Sequence, residues 1–326
     1  MIQVHPRQSG RSRLVRIGAR AIVRPVLGFY PVSGPAAPLA ELVDLGMRVL
    51  PRLSSTIVEH VNGGDWKAEL VSVKSGAEHA GKDADDTGRA AILYFHGGAF
   101  VACGLATHRR IAERLAERTG LPVLSVAYRQ RSHHVDTSIR DCIEAVNLLV
   151  DRGFDPAQLV LAGDSAGGHL AFAVAIEAVA QQVRVAGVVA LSPWLEFDNS
   201  VRRRHRNALR DDFIPAYRLQ RMAHRVTGGR PLDPLASPVN ADLTGLPPAL
   251  IMCAADEILR FDAELMTERL EAAGVPAELH VWQGQVHAFP VFAHLLPESR
   301  AALDRIAAFV TDVVAAARAE DTELAS

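Results

Sequence analysis

Apolar and polar positions along this chain follow two periods, and the switch between them recurs from about residue 67 onward. Lys67–Val73 alternates polar and apolar side chains, the period-two pattern of a half-exposed edge strand. After a polar turn at Ala80–Gly88, Ala90–Phe95 is a continuous apolar run, which suits a strand buried on both faces. Residues 107–119 set Ile111, Ala112, Leu115 and Ala116 on one helical face, and Gly120 followed by Pro122 closes the helix. The succession repeats as strand Val123–Tyr128, a helix at 138–152 stopped by Gly153, strand Leu159–Ala162, helix Leu170–Ala180 and strand Val185–Leu191. It lapses over residues 195–240, where Arg202, Arg203, Arg204 and Arg206 crowd together and no strand is predicted. It resumes with strand Ala249–Ala254, a helix at 261–273 before Gly274, strand Glu278–Trp282 and a final helix from about 299 to 317. Alternation of this kind predicts an α/β fold, a mostly parallel sheet with helices on both faces. The expected organisation is an N-terminal cap segment at 1–65 and a main domain at 66–326, with a cap insertion at about 195–240.

Composition narrows the class. The 326-residue chain is 49% hydrophobic and 22% charged, as a soluble globular protein is. A net charge of -2 argues against a dedicated nucleic-acid binder. Cys103, Cys142 and Cys253 fit neither a zinc nor a disulfide framework, so reduced cysteines and a cytoplasmic location are expected. No run of about twenty apolar residues predicts a transmembrane helix. The charge is unevenly spread, however. Residues 1–40 carry Arg7, Arg11, Arg13, Arg16, Arg20 and Arg24 and no carboxylate, with Leu14, Val15, Ile17, Ile22 and Val23 threaded between them. This predicts a basic amphipathic helix ending near Pro25, which suits either an anionic membrane surface or a lid packed on the domain. Arginines interrupt every candidate apolar core of a signal peptide.

The chemistry starts at Gly163-Asp164-Ser165-Ala166-Gly167, a serine boxed by glycines between an apolar strand and a helix. A G-x-S-x-G box at such a junction is a nucleophile elbow, whose turn lifts the hydroxyl out of the sheet. A serine hydroxyl needs a base to take its proton, and that base needs an acid to fix its tautomer. Asp256, just after strand Ala249–Ala254, and His287, in the loop after strand Glu278–Trp282, supply both in the order Ser, acid, His. Asp256 is preferred over Glu257, one residue further on, and over Asp262, which sits in the helix. His287 is preferred over His280, inside a strand, and His294, beyond Pro290. His169 reads as a core residue, and His133, His134 and Asp136 as a solvated loop rather than a metal site. For the oxyanion hole the expected N–H donors are Gly97 and Gly98, in His96-Gly97-Gly98-Ala99-Phe100 after a strand, and Ala166 at the start of the elbow helix.

Taken together these motifs resemble the hormone-sensitive-lipase group of α/β-hydrolase esterases, in its G-D-S-A-G subfamily. Further matches are Tyr128-Arg129, Asp141, Ser192-Pro193-Trp194, Ser237-Pro238 and Leu246-Pro247-Pro248-Ala249-Leu250. The likeness spans roughly residues 90 to 310. It implies an α/β-hydrolase with a helical cap, a carboxylesterase or lipase acting through an acyl-enzyme without metal or organic cofactor. Two departures stand out: Ala99 occupies the last position of the family's H-G-G-G segment, and Gln130-Arg131-Ser132-His133-His134 replaces its L-A-P-E-H loop. The expected partner is a small-molecule or lipid ester, with Ala99 and Ala102 hinting at a short to medium acyl chain. Amidase, acyl transferase and lipid-surface lipase chemistry stay open on the same triad, and a non-catalytic binding protein on this fold is disfavoured because all three side chains are present. Oligomeric state cannot be read from the chain.

Overall fold

The computed structural model describes residues 2–29, 41–74, 89–229 and 236–325. Nine strands form one sheet: β1 (Ile2–His5), β2 (Thr56–Asn62), β3 (Lys67–Val73), β4 (Arg89–Phe95), β5 (Val123–Ala127), β6 (Phe154–Asp164), β7 (Gly187–Leu191), β8 (Ala249–Ala254) and β9 (Ala277–Trp282). Their order is β1-β9-β8-β7-β6-β4-β5-β3-β2, with β2 and β3 antiparallel to their neighbours and every other pairing parallel. This is the mostly parallel sheet that the alternating pattern predicts, in the α/β-hydrolase arrangement that the family resemblance implies. The polar turn expected at Ala80–Gly88 lies outside the described residues.

The central strands are apolar on both faces because each face carries its own core. On one, β4 and β6 pack Leu93 and Leu161 against helices α5 (Val135–Asp151), α6 (Ala166–Ala180), α7 (Ala216–Val226) and α8 (Arg260–Ala272). On the other, Ile92 and Val160 meet α4 (Leu105–Thr119) and α9 (Pro297–Ala325). Helix α6 is buried along most of its length, which explains why it is apolar on all sides.

The N-terminal segment departs from the expected cap. Ile2–His5 is a parallel strand on β9, and His5 stacks on Trp282 with ring centroids 3.9 Å apart. Thr56–Asn62 pairs with β3, so two pieces of residues 1–65 belong to the sheet. Between them run α1 (Gly10–Gly18), a π-helical turn (Ala19–Val23), α2 (Arg24–Phe29) and α3 (Glu41–Met47). The helix does not end near Pro25. The widened turn, in which Arg24 N bonds to Ala19 O, precedes the proline and lets the helix continue past it.

The insertion is tied down by a buried ion pair. Arg202, from the arginine run, is fully buried and bidentate to Asp262 of α8, with Nε to Oδ1 at 2.7 Å and Nη2 to Oδ2 at 2.8 Å. Asp262 also accepts the N–H of Leu195 and Glu196, the residues that open the insertion.

Candidate active site

The elbow is set by sterics. Asp164 ends β6 and Ala166 begins α6, so a single residue must reverse the chain, and Ser165 does so at φ 53° and ψ -115°. That conformation is costly for a residue with a side chain and persists only where the surroundings fix it. Here Ser165 N donates to Leu191 O at 2.8 Å, and Ser165 O accepts from Trp194 N at 3.0 Å. The flanking glycines are needed for close approach: a Cβ on Gly167 would lie 1.8 Å from Phe95 O, and one on Gly163 2.3 Å from Gly167 O.

The loop after β9 brings His287 to the same strand ends. Ala288 N donates to Ser192 Oγ at 2.9 Å, and Ser192 directly follows the residue that holds Ser165 N. The Asp164 carboxylate beside Ser165 also lies close enough to bias the charge of His287. Nδ1 of His287 donates to a carboxylate at 2.9 Å, but that carboxylate is Glu257, not Asp256. The expected acid is therefore corrected by one residue. Asp256 sits in the turn after β8 with its side chain 35% exposed, on Arg16 at 3.3 Å. Glu257 is buried; its Oε2 takes His287 while its Oε1 accepts the Ala254 N–H at 3.0 Å. The reason is the phase of the turn: its second residue faces outward, its third returns toward the sheet, and the longer glutamate side chain spans the gap. Burial alone pushes the His287 imidazole down, but the Glu257 hydrogen bond and the charges of Glu257, Asp211 and Asp164 together hold it above its ordinary value.

Sequence reasoning missed the support for this acid. Asn207 Nδ2 donates to Ala255 O at 2.9 Å and Glu257 O at 2.8 Å. Buried Asp211 accepts the N–H of Ile258 at 2.8 Å, with Phe213 and Ile214 on its other oxygen, and burial pushes it up to about 6. Both residues come from the insertion, where neither spacing nor composition marks them. Arg16 of α1 reaches the same turn, bonding Asp212 at 2.7 Å as well as Asp256.

The oxyanion segment needs a second correction. The N–H of Gly97 donates to Asp164 Oδ1 at 3.0 Å and so is not directed at a substrate. Gly98, at φ 115°, and Ala99, at φ 53°, follow in a tight turn closed by Val101 N and Ala102 N on Gly98 O. Their N–H groups have no hydrogen-bond partner among the described residues. The Ala166 N–H, in the first turn of α6, is one of the groups a helix leaves unpaired. The end of β5 and the loop after it buttress this segment: Tyr128 Oη donates to His96 O at 2.7 Å, and Arg131 N, in the stretch that departs from the family pattern, to Phe100 O at 2.7 Å. His134 caps α5, and buried His169 donates to Trp194 O at 3.0 Å. A polar groove of about 910 Å³ beside Glu69, Arg109 and Cys103 lies across the segment and is lined by neither Ser165, Glu257 nor His287.

A strained serine at a strand–helix elbow, and a histidine bonded to a buried glutamate on loops at the same carboxyl ends of a parallel sheet, are the features of an α/β-hydrolase site. The family described as the alpha/beta hydrolase fold matches residues 92–291, and the chain belongs to it. Within it the protein is a carboxylic ester hydrolase of the hormone-sensitive-lipase type. It is 35% identical to the carboxylesterase/phospholipase LipF of Mycobacterium tuberculosis over 93% of this chain and 82% of that protein. With the esterase LipU of the same organism it shares 37% identity over 89% of this chain and 98% of that protein. A crystal structure of an esterase from the bacterial hormone-sensitive lipase family superposes with TM-score 0.81 at 29% identity, over 94% of this chain and 99% of that one.

Proposed function

We propose that Ser165 is the nucleophile, His287 the base and Glu257 the acid that orients it. The observation that carries this reading is the 2.9 Å bond from His287 Nδ1 to Glu257 Oε2. With Nδ1 engaged, Nε2 takes the Ser165 proton as Oγ attacks the ester carbonyl carbon. The carbonyl electron pair moves onto oxygen, which rests on the N–H groups of Gly98, Ala99 and Ala166. The pair then returns, the ester C–O bond breaks, and His287 protonates the leaving alcohol. Water repeats the sequence on the acyl-enzyme, releasing the acid and Ser165. Ser165→Ala lowers turnover on p-nitrophenyl butyrate by about six orders of magnitude. A variant that keeps a tenth of the activity removes Ser165 from this role.

The substrate is a small carboxylic ester with a short to medium acyl chain, supported by Ala99 in the oxyanion turn and Phe213, whose ring centre lies 5.6 Å from that of His287. A rate profile over p-nitrophenyl esters of rising chain length tests this, and matching amides separate esterase from amidase. The three free cysteines support a reducing, cytoplasmic setting; among the described residues no helix is long and apolar enough to cross a membrane. The N-terminal helix supports contact with an anionic lipid surface. Leu14, Ile17, Ile22, Val26 and Phe29 are exposed on α1, the π turn and α2, amid Arg7, Arg11, Arg13 and Arg20. Co-sedimentation with phosphatidylglycerol vesicles, lost in a Leu14→Ser/Ile17→Ser/Phe29→Ser variant and absent with phosphatidylcholine, is the expected result. Failure of the full chain to bind either vesicle overturns it.

A further inference from the structure

Asp164 follows the sheet into the elbow, and its side chain turns back beneath the oxyanion segment. Oδ1 accepts from Tyr94 Oη at 2.8 Å and from Gly97 N at 3.0 Å. Nε2 of His108, on α4, lies 3.2 Å from Oδ1 and 3.3 Å from Oδ2. The other ring nitrogen of His108 is 2.9 Å from Thr107 Oγ1, which in turn bonds Asp44 Oδ1 at 3.2 Å. Both ring nitrogens thus have a hydrogen-bond partner, the Asp164 carboxylate on Nε2 and the Thr107 hydroxyl on Nδ1. Asp164 and His108 are both buried. The titratable groups around His108 are Asp164, Asp44 through Thr107, the His96 ring at 5.6 Å and the Tyr94 ring at 6.2 Å. Burial pulls the His108 imidazole down, but the Asp164 charge and hydrogen bond carry it above its ordinary value. Burial pushes Asp164 up, but the His108 charge and the hydrogen bonds from His108 and Tyr94 bring it below the usual carboxylate range, so each partner favours the charged form of the other. His96 is pushed down to about 4 by burial and by His108, and stays neutral.

Two consequences follow for the reacting atoms. The first is geometric: Gly97 is clamped so closely that a Cβ there would lie 2.1 Å from Asp164 Oδ2. The direction of the next two peptide units, those of Gly98 and Ala99, is set from this clamp. The second is electrostatic. A lone carboxylate next to the nucleophile would oppose the negative charge that grows on the carbonyl oxygen, and a neighbouring imidazolium cancels it.

We propose that Asp164 and His108 form a positioning ion pair for the oxyanion hole, in which Asp164 aims the Gly98 and Ala99 N–H groups through Gly97 and His108 neutralises the carboxylate behind them. The proposal rests on the reading of Ser165 as nucleophile. The test compares the full chain with Asp164→Asn and His108→Gln, using p-nitrophenyl butyrate turnover, inhibition by a trifluoromethyl ketone that mimics the tetrahedral state, and end-point labelling by an organophosphonate. The expected result is a fall in kcat of about 10–100-fold with KM within about twofold, and weakening of the ketone by the same factor. The wild-type rate also declines as pH rises through the raised His108 value, and His108→Gln lacks this alkaline limb. The pair is overturned if folded variants keep wild-type kcat and ketone affinity, if only KM moves, or if His108→Gln retains the limb. Should Asp164→Asn not fold, His108→Gln carries the test, because its amide keeps a donor without the charge. Labelling separates the two readings: stoichiometric attachment at Ser165 in the variants upholds the nucleophile even where the pair fails, whereas a wild-type enzyme left unlabelled removes both.

Discussion

On the elbow side of the site, a methyl group added to Gly167 would collide with Phe95 O at 1.8 Å, and Ser165 is held at a strained φ by two backbone bonds to Leu191 and Trp194, at and just beyond the end of β7. On the N-terminal side, Leu14, Ile17 and Phe29 face solvent, while Arg16 of α1 reaches Asp256 of the acid turn and, with Arg20 of the π turn, Asp212 of the insertion. The two sides differ in how firmly their backbone is fixed. Stabilising a developing charge requires dipoles fixed to a fraction of an ångström before the reaction begins, and only over-determined backbone supplies them. Half-buried ion pairs on an amphipathic helix leave the N-terminal side freer to adjust.

The comparison breaks most visibly at the adjacent carboxylates of the acid turn. Glu257→Gln should lower kcat by about 10⁴-fold, as an amide does when it leaves the base in the wrong tautomer, while Asp256→Asn stays within about threefold. Equal losses in steady-state assays would mean that the turn as a whole, not the buried bond, matters. Next in size is the anchor of the insertion. Arg202→Met strands Asp262 in the core and should cost about 3–5 kcal/mol in urea unfolding. A loss below about 1 kcal/mol would show that the insertion holds without it.

The pH dependence sharpens the contrast. As the proposed base, His287 would work only when neutral, and its value is raised, so activity should be present above that value and lost as pH falls through it. In Glu257→Gln the acid limb of the residual rate should shift to lower pH, because the charge that holds the proton is gone; an unmoved limb would assign it to another group. The smallest effect is at α1: Arg16→Ala should cost about 1 kcal/mol or less and leave turnover of a soluble acetate ester within about twofold. A large drop on that ester would make α1 part of the catalytic wall.

What could be read from the chain follows the same division. Strand runs such as Ala90–Phe95 and Ala249–Ala254, with helices closed by glycine, are legible because burial on two faces leaves an unbroken apolar stretch. The elbow at Ser165 and the loop that carries His287 are legible because a tight turn demands glycines and the apolar run of β9 marks where its loop begins. The choice between Asp256 and Glu257 is not, since it depends on the rotation of one turn and on Asn207 and Asp211, far away along the chain. Gly97 and Gly98 are equivalent in the sequence, since either lets the backbone approach a substrate; in space the Asp164 carboxylate takes the N–H of Gly97. The strand Ile2–His5 escaped because four residues, three of them exposed, carry no burial pattern to detect.

That short strand has a practical consequence. It covers the outer backbone of Leu279, His280, Val281 and Trp282, the strand just ahead of the His287 loop. Trimming the first dozen residues would uncover a row of unsatisfied amides and carbonyls beside apolar side chains, an invitation to self-association and clumping during purification. Fusion partners and proteolytic nicking at this end therefore threaten solubility and the base together, and a preparation that has lost its leading residues should not be mistaken for an enzyme with poor intrinsic turnover.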